Sequence, residues 1–222
     1  MKVVPSVLAE DFDDFVRRMR LAESFTDYVQ IDVMDGVFVD TRSFEPERIG
    51  TLVTPLSFEV HLMVKDPAVV ARKIHNQGLR KIIAHFESGT DHAGLAKEIR
   101  IRGLSPGLAV RPETTLDMIR KTAEHFDTLL FLAVYPGRYG GAFLPETVTK
   151  VFEARRTFPE KTIGVDGGVS IENIGMLYDA GVDYVCVGSR IFVGGRPEDN
   201  YRLFMKRLDE LRRSDKAKAF MR

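Results

Sequence analysis

The sequence predicts a (β/α)8 barrel, and three observations carry that prediction. Short β-branched or apolar runs alternate eight times with longer amphipathic stretches, polar residues recur at every second position inside several of these runs, and glycines gather in the loops of the last third. Regular alternation of strand and helix patterns is the mark of successive βα units on a parallel sheet. At 222 residues the chain has the length of one barrel, so residues 1–222 are expected to form a single domain. An open doubly wound sheet would show the same alternation, but it needs a glycine-rich turn after its first strand. Here Ser6 is followed by Val7, Leu8, Ala9, Glu10, Asp11 and Phe12, with no glycine.

In chain order, strands are predicted over residues 3–6, 28–32, 56–61, 81–85, 107–110, 128–133, 162–166 and 184–188. Helical patterns occupy 12–22, 67–77, 92–102, 146–156 and 171–180 among the intervening stretches. Gly78, Gly103 and Gly181 follow three of these and suit the left-handed position after a helix. The basic tail over 214–222 reads as a frayed last helix rather than a nucleic-acid arm.

Hydrophobic residues make up 44% of the chain and charged residues 29%, enough to bury a substantial core. Lys plus Arg equals Asp plus Glu at 32 each, so no net field draws the chain to nucleic acid or an anionic membrane surface, and an anionic ligand must be held locally. The one cysteine, Cys186, has no intramolecular disulfide partner, and the first residues lack the long apolar run of a signal peptide or membrane span. A cytoplasmic enzyme is expected.

Functional side chains of a barrel come from the C-terminal ends of its strands, and alternate residues point inward. Gln30 and Asp32 share one face of the second strand, and Glu59 and His61 share one face of the third. Ser6, His85 and Asp166 end three other strands, so Ser6, Asp32, His61, His85 and Asp166 would converge on one mouth. Ser6 can instead cap the following turn, and His85 can be a hydrogen-bonded core imidazole. Asp32 and Asp166 are harder to explain as structure, because a carboxylate inside an apolar barrel must be paired, protonated or bound to a cation. Asp35, beside Gly36, reads as a turn residue. Glycine clusters at 136–141, 166–168 and 188–190 let backbone N–H groups approach anionic oxygens, which points to a phosphate ligand.

The segments VPSVLAEDF, DVMDG, HLM, AHFE, PGRYGGAF, VDGGV and VGSRIF, in this order between Val4 and Phe192, resemble the ribulose-phosphate 3-epimerase family. The resemblance implies a TIM barrel of the ribulose-phosphate-binding type and a carbohydrate-phosphate isomerase of pentose phosphate metabolism. It implies inversion of carbon 3 of a ketose 5-phosphate through an enediolate, such as D-ribulose 5-phosphate to D-xylulose 5-phosphate. On the matching positions, Asp32 and Asp166 become the two acid/base carboxylates. Ser6, Met34, His61, Met63, Gly137, Gly140, Gly167, Gly168, Gly188 and Ser189 become substrate-binding, although Met34 and Met63 also suit simple packing. A divalent ion (Zn, Mn, Mg or Fe) would be held by Asp32, His61 and Asp166, and a homo-oligomer is expected.

The chain departs from the family where the second metal-binding histidine is expected, at Gln30. A glutamine carbonyl can ligate a harder cation, or the amide can donate to a developing oxyanion. Arg111 stands where an asparagine is usual, and Tyr139 and Gly141 replace a small residue and a glutamine. Two other readings stay open: a metal-independent isomerase or lyase on another phosphorylated sugar, and a non-catalytic sugar-phosphate-binding homologue.

Overall fold

Eight parallel strands hydrogen-bond in sequence order and the last returns to the first, closing a barrel. The computed structural model describes residues 1–136 and 140–220. The strands are β1 (Lys2–Val7), β2 (Tyr28–Met34), β3 (Ser57–Met63), β4 (Leu79–His85), β5 (Ser105–Val110), β6 (Thr128–Leu132), β7 (Thr162–Asp166) and β8 (Tyr184–Val187). The helices are α1 (Phe12–Ala22), α2 (Pro67–Lys73), α3 (His92–Ile101), α4 (Leu116–Ala123), α5 (Glu146–Thr157), α6 (Ile174–Asp179), α7 (Ser189–Phe192) and α8 (Pro197–Phe220). Asp11, Asp66, Asp91 and Thr115 cap α1 to α4 by accepting a backbone N–H three residues on, each worth about 1 kcal/mol.

The period-two pattern sorts residues as expected. Val29, Ile31, Val33, Phe58, Val60 and Leu62 pack outward against α1 and its neighbours, while Val4, Ile83, Ala109, Leu130, Leu132, Tyr184 and Cys186 fill the inside of the barrel. Gln30, Asp32, Glu59 and His61 take the alternate positions, all buried.

Three expectations change. β2 and β3 run two residues past Asp32 and His61, because Met34 and Met63 stay in register and pack together under Val39. The polar residues therefore sit one inward position below the strand ends. Helix α2 stops at Lys73 rather than residue 77, since Asn76 turns its side-chain amide to the carbonyls of Ile49 and Leu52 and accepts from Gly78 N–H. Gly78 is consequently no left-handed helix terminator; a Cβ there would lie 2.5 Å from the Leu56 carbonyl and 2.8 Å from the Phe58 ring. Gly103 and Gly181 do take left-handed conformations, at φ 74° and 84°. Helix α8 continues to Phe220, and no helix among the described residues is long and apolar enough to cross a membrane.

Candidate active site

Register places Asp32 beside His61, and Asp166 between Leu132 of β6 and Cys186 of β8. Side chains from β2, β3 and β7 thus meet across the barrel axis. Gln30 Nε2 donates to Asp32 Oδ1 at 2.9 Å and to Asp166 Oδ2 at 2.8 Å. His61 Nδ1 lies 3.1 Å and 3.3 Å from the same two oxygens. Two like charges are held together by one amide and one imidazole, each touching both carboxylates.

The electrostatics follow from burial. Burial, and then the negative charge of Asp166, push the Asp32 carboxyl up to about 6, against the hydrogen bonds from His61 and Gln30. Burial disfavours a charged His61, but its hydrogen bonds to Asp166 and Asp32 outweigh it and raise the imidazole to about 9. His61 Nε2 lies 3.0 Å from His85 Nε2, and His85 Nδ1 lies 3.1 Å from Glu87 Oε2. Burial lowers His85 to about 4, so it is neutral. Burial opposes the charge of Glu87, yet hydrogen bonds from His85, Thr114 and the Arg111 N–H hold its carboxyl down at about 2. One proton arrangement satisfies the chain: His85 Nδ1–H donates to the Glu87 anion, and its bare Nε2 accepts from His61 Nε2–H. Nδ1 of His61 therefore faces the carboxylates.

A cavity of about 580 Å³ opens above this centre. Asp32 and Asp166 reach its floor, and Ser6, Met34 and Met63 line one side. Gly140, Gly167, Gly168, Gly188 and Ser189 line the other, with Asn173, Arg190 and Val193 beside them. Gly167 and Gly168 have φ of 96° and 65°, and a Cβ on Gly168 would sit 2.8 Å from the Phe143 backbone, so the close loop packing needs glycine at both. Ser6 is buried on the cavity wall and, among the described residues, caps no helix. His61 and His85 are both fully buried and off the wall; His85 is the hydrogen-bonded core imidazole, linked to the centre through His61. Gly137, Arg138 and Tyr139 lie outside the described residues. Asp35 is a turn residue that accepts from the N–H groups of Val37, Phe38 and Lys65.

Two participants carried no functional expectation. Cys186 donates its S–H to Gln30 Oε1 at 3.0 Å, and Glu87 anchors the histidine pair. Register alone could have found Cys186, since β8 places it beside Asp166; Glu87 two residues after His85 had no periodic signal. Asp32, His61 and Asp166 each offer a ligand atom, all within 4.8 Å of one another. Two carboxylates and one imidazole fit a divalent cation of hard or borderline character.

A closed parallel barrel with two cross-linked carboxylates on the floor of its C-terminal mouth defines the class as a (β/α)8-barrel enzyme. The chain belongs to the ribulose-phosphate 3-epimerase family, whose description matches residues 2–192. It is 32% identical to a ribulose-phosphate 3-epimerase of Candida glabrata, over 97% of this chain and 94% of that one. It is 33% identical to the ribulose-phosphate 3-epimerase of Mycobacterium bovis, over 88% and 87% of the two chains. Among solved structures, the KGPDC of Streptococcus mutans superposes with a TM-score of 0.69 at 14% identity, over 95% of this chain and 98% of that one. Orotidine 5'-monophosphate decarboxylase of Sulfolobus solfataricus superposes at 0.65 and 15%, over 95% and 98%. At those identities the likeness is one of fold.

Proposed function

We infer that the protein is an isomerase, a sugar-phosphate 3-epimerase that interconverts D-ribulose 5-phosphate and D-xylulose 5-phosphate. The observation that carries this reading is the pairing of Asp32 and Asp166 across the barrel axis at the base of the cavity. Inversion at a carbon next to a carbonyl needs a base on one face and an acid on the other, and one protonated and one ionised carboxyl provide both. The upward shift of Asp32 to about 6 supports its exchanging a proton near neutral pH. In our reading one carboxylate oxygen removes the C3 proton, and the opposite carboxyl returns one to the other face.

The phosphate is assigned to the backbone of Gly140, Gly167, Gly168, Gly188 and Ser189. Ser6, Met34 and Met63 would bracket the sugar, while His61 orients both carboxylates from beneath. A divalent cation held by Asp32, His61 and Asp166 would supply positive charge opposite the oxygen that gains charge as the proton leaves. We further propose one domain over residues 1–222, a homo-oligomer, and the cytoplasm as the compartment, with a place in pentose phosphate metabolism.

Proton NMR of the protein with D-ribulose 5-phosphate in D₂O tests the reading. Loss of the C3 proton signal together with appearance of xylulose 5-phosphate is the expected result. Retention of the C3 proton with and without added Mn²⁺, Mg²⁺ or Zn²⁺ rejects this substrate.

A further inference from the structure

Four atoms close a ring at the centre of the mouth: Gln30 Nε2, Asp32 Oδ1, His61 Nδ1 and Asp166 Oδ2. Successive distances around it are 2.9, 3.1, 3.3 and 2.8 Å. A divalent first-row cation with ligand bonds of about 2.1 Å sets adjacent donors roughly 3.0 to 3.4 Å apart. The ring thus has the span of a coordination sphere, closed here by hydrogen bonds. Three of its corners can present a lone pair. The fourth is an amide nitrogen, which cannot.

The carbonyl that could serve belongs to the same amide and points away, accepting the Cys186 thiol at 3.0 Å. Rotation of the amide by half a turn exchanges the two ends in place. Without a cation, the reversed amide would press a carbonyl oxygen against two carboxylate oxygens. With a cation, the observed amide would press N–H groups against positive charge. Each orientation suits one state of the centre, and all three polar contacts of the fully buried Gln30 change together.

We propose that Gln30 sets the cation preference of this centre as a reversible fourth ligand, with Cys186 as its latch. This rests on reading Asp32, His61 and Asp166 as the other ligands. When no cation is present the amide N–H groups cross-link the carboxylates, and when one enters the carbonyl takes their place. Three oxygens and one nitrogen make a hard donor set, so the centre favours the Mn²⁺ and Mg²⁺ class over Zn²⁺ relative to a site with a second imidazole. The hydrogen bonds broken on entry weaken binding of every cation, and Cys186 sets part of that cost.

The test is direct metal binding to chelator-stripped protein: Mn²⁺ by electron paramagnetic resonance, and Zn²⁺ by competition with a chromophoric chelator. Gln30→His should tighten Zn²⁺ roughly 10- to 100-fold, the scale on which coordination-sphere changes act, and leave Mn²⁺ within about threefold. Cys186→Ala, which frees the carbonyl to turn, should tighten Mn²⁺ about fivefold, the worth of one hydrogen bond. Gln30→Met should weaken Mn²⁺ at least about tenfold. Should Gln30→Met not fold, Gln30→Glu, with oxygen at both ends, should tighten Mn²⁺ at least as much as Cys186→Ala. Equal shifts for both cations in Gln30→His, or unchanged Mn²⁺ binding in Gln30→Met and Cys186→Ala, would overturn the role of Gln30 alone. No binding of either cation to the parent or any variant would overturn the three-residue ligand set as well.

Discussion

The two ends of the barrel interior both bury carboxylates, and they handle them in opposite ways. At the N-terminal end Glu59 is wholly buried, but Lys81 Nζ sits 2.9 Å from its Oε2 and the Tyr28 hydroxyl donates to the same oxygen at 3.1 Å. The Lys81 ammonium also rides 4.8 Å above the Tyr184 ring. Opposite charges there neutralise each other. At the C-terminal end Asp32 and Asp166 carry like charge, and Gln30 and His61 must be interposed to keep them together. One cationic imidazole, His61, must serve two carboxylates there, so a negative charge stays uncompensated at the cavity floor where Lys81 leaves none around Glu59, a cost that function explains.

Breaking the two ends should therefore give opposite phenotypes. Asp32→Asn or Asp166→Asn should lower kcat for D-ribulose 5-phosphate epimerisation by about 10²- to 10⁴-fold, the usual worth of a positioned acid or base. Removing one of two like charges should leave the thermal midpoint unchanged or raised. A variant that keeps more than a tenth of parental kcat would show the pair to be structural. At the other end, Lys81→Met strands the Glu59 charge and should cost about 3 to 5 kcal/mol in denaturant unfolding, with kcat per folded molecule unchanged. Adding Glu59→Gln should recover much of the loss, since a neutral pair no longer carries a buried charge.

A pH series sharpens the contrast further. His61 is raised from 6.5 to about 9 in the fold, so its stabilising contribution is complete below pH 6.5 and is lost as pH rises through about 9. Chelator-treated protein should lose on the order of 3 kcal/mol across that window, and His61→Gln should be nearly flat there. Parallel stability curves for the two proteins would show that the imidazole is uncharged in the fold. The smallest effect is expected from Tyr28→Phe, which removes one hydroxyl from Glu59: about 1 kcal/mol by denaturant titration and no change in kcat.

Much of this was legible in the chain. Alternation placed Gln30, Asp32, Glu59 and His61 inside before any contact was known, because side chains of a strand alternate faces whatever the strand packs against. Glycine clusters at 166–168 and 188–190 pointed to loops where backbone N–H groups can approach an anion, and Gly167 and Gly168 do take left-handed conformations, since backbone conformation is a local property. What local pattern could not supply was distance across the barrel. Gln30 and Asp166 lie 136 positions apart, and Gln30 and Cys186 lie 156 apart. The opposite fates of Gly78 and Gly103 show the same limit: both follow helical patterns, but only a neighbouring strand reveals that Gly78 is needed for closeness to Leu56 and Phe58.

By itself, then, the sequence determined the order of elements, the inward and outward faces, and the carboxylate, amide and imidazole side chains that the inward faces of β2 and β3 carry, because these depend on periodicity and side-chain chemistry. Closure of the sheet decided the rest. It brought β2 and β7, three steps apart around the ring, together across the interior, turned the Gln30 amide toward both carboxylates and its carbonyl toward Cys186, and set His85 behind His61 instead of in the cavity. Those outcomes depend on shear and register around all eight strands, which no segment of the chain encodes alone.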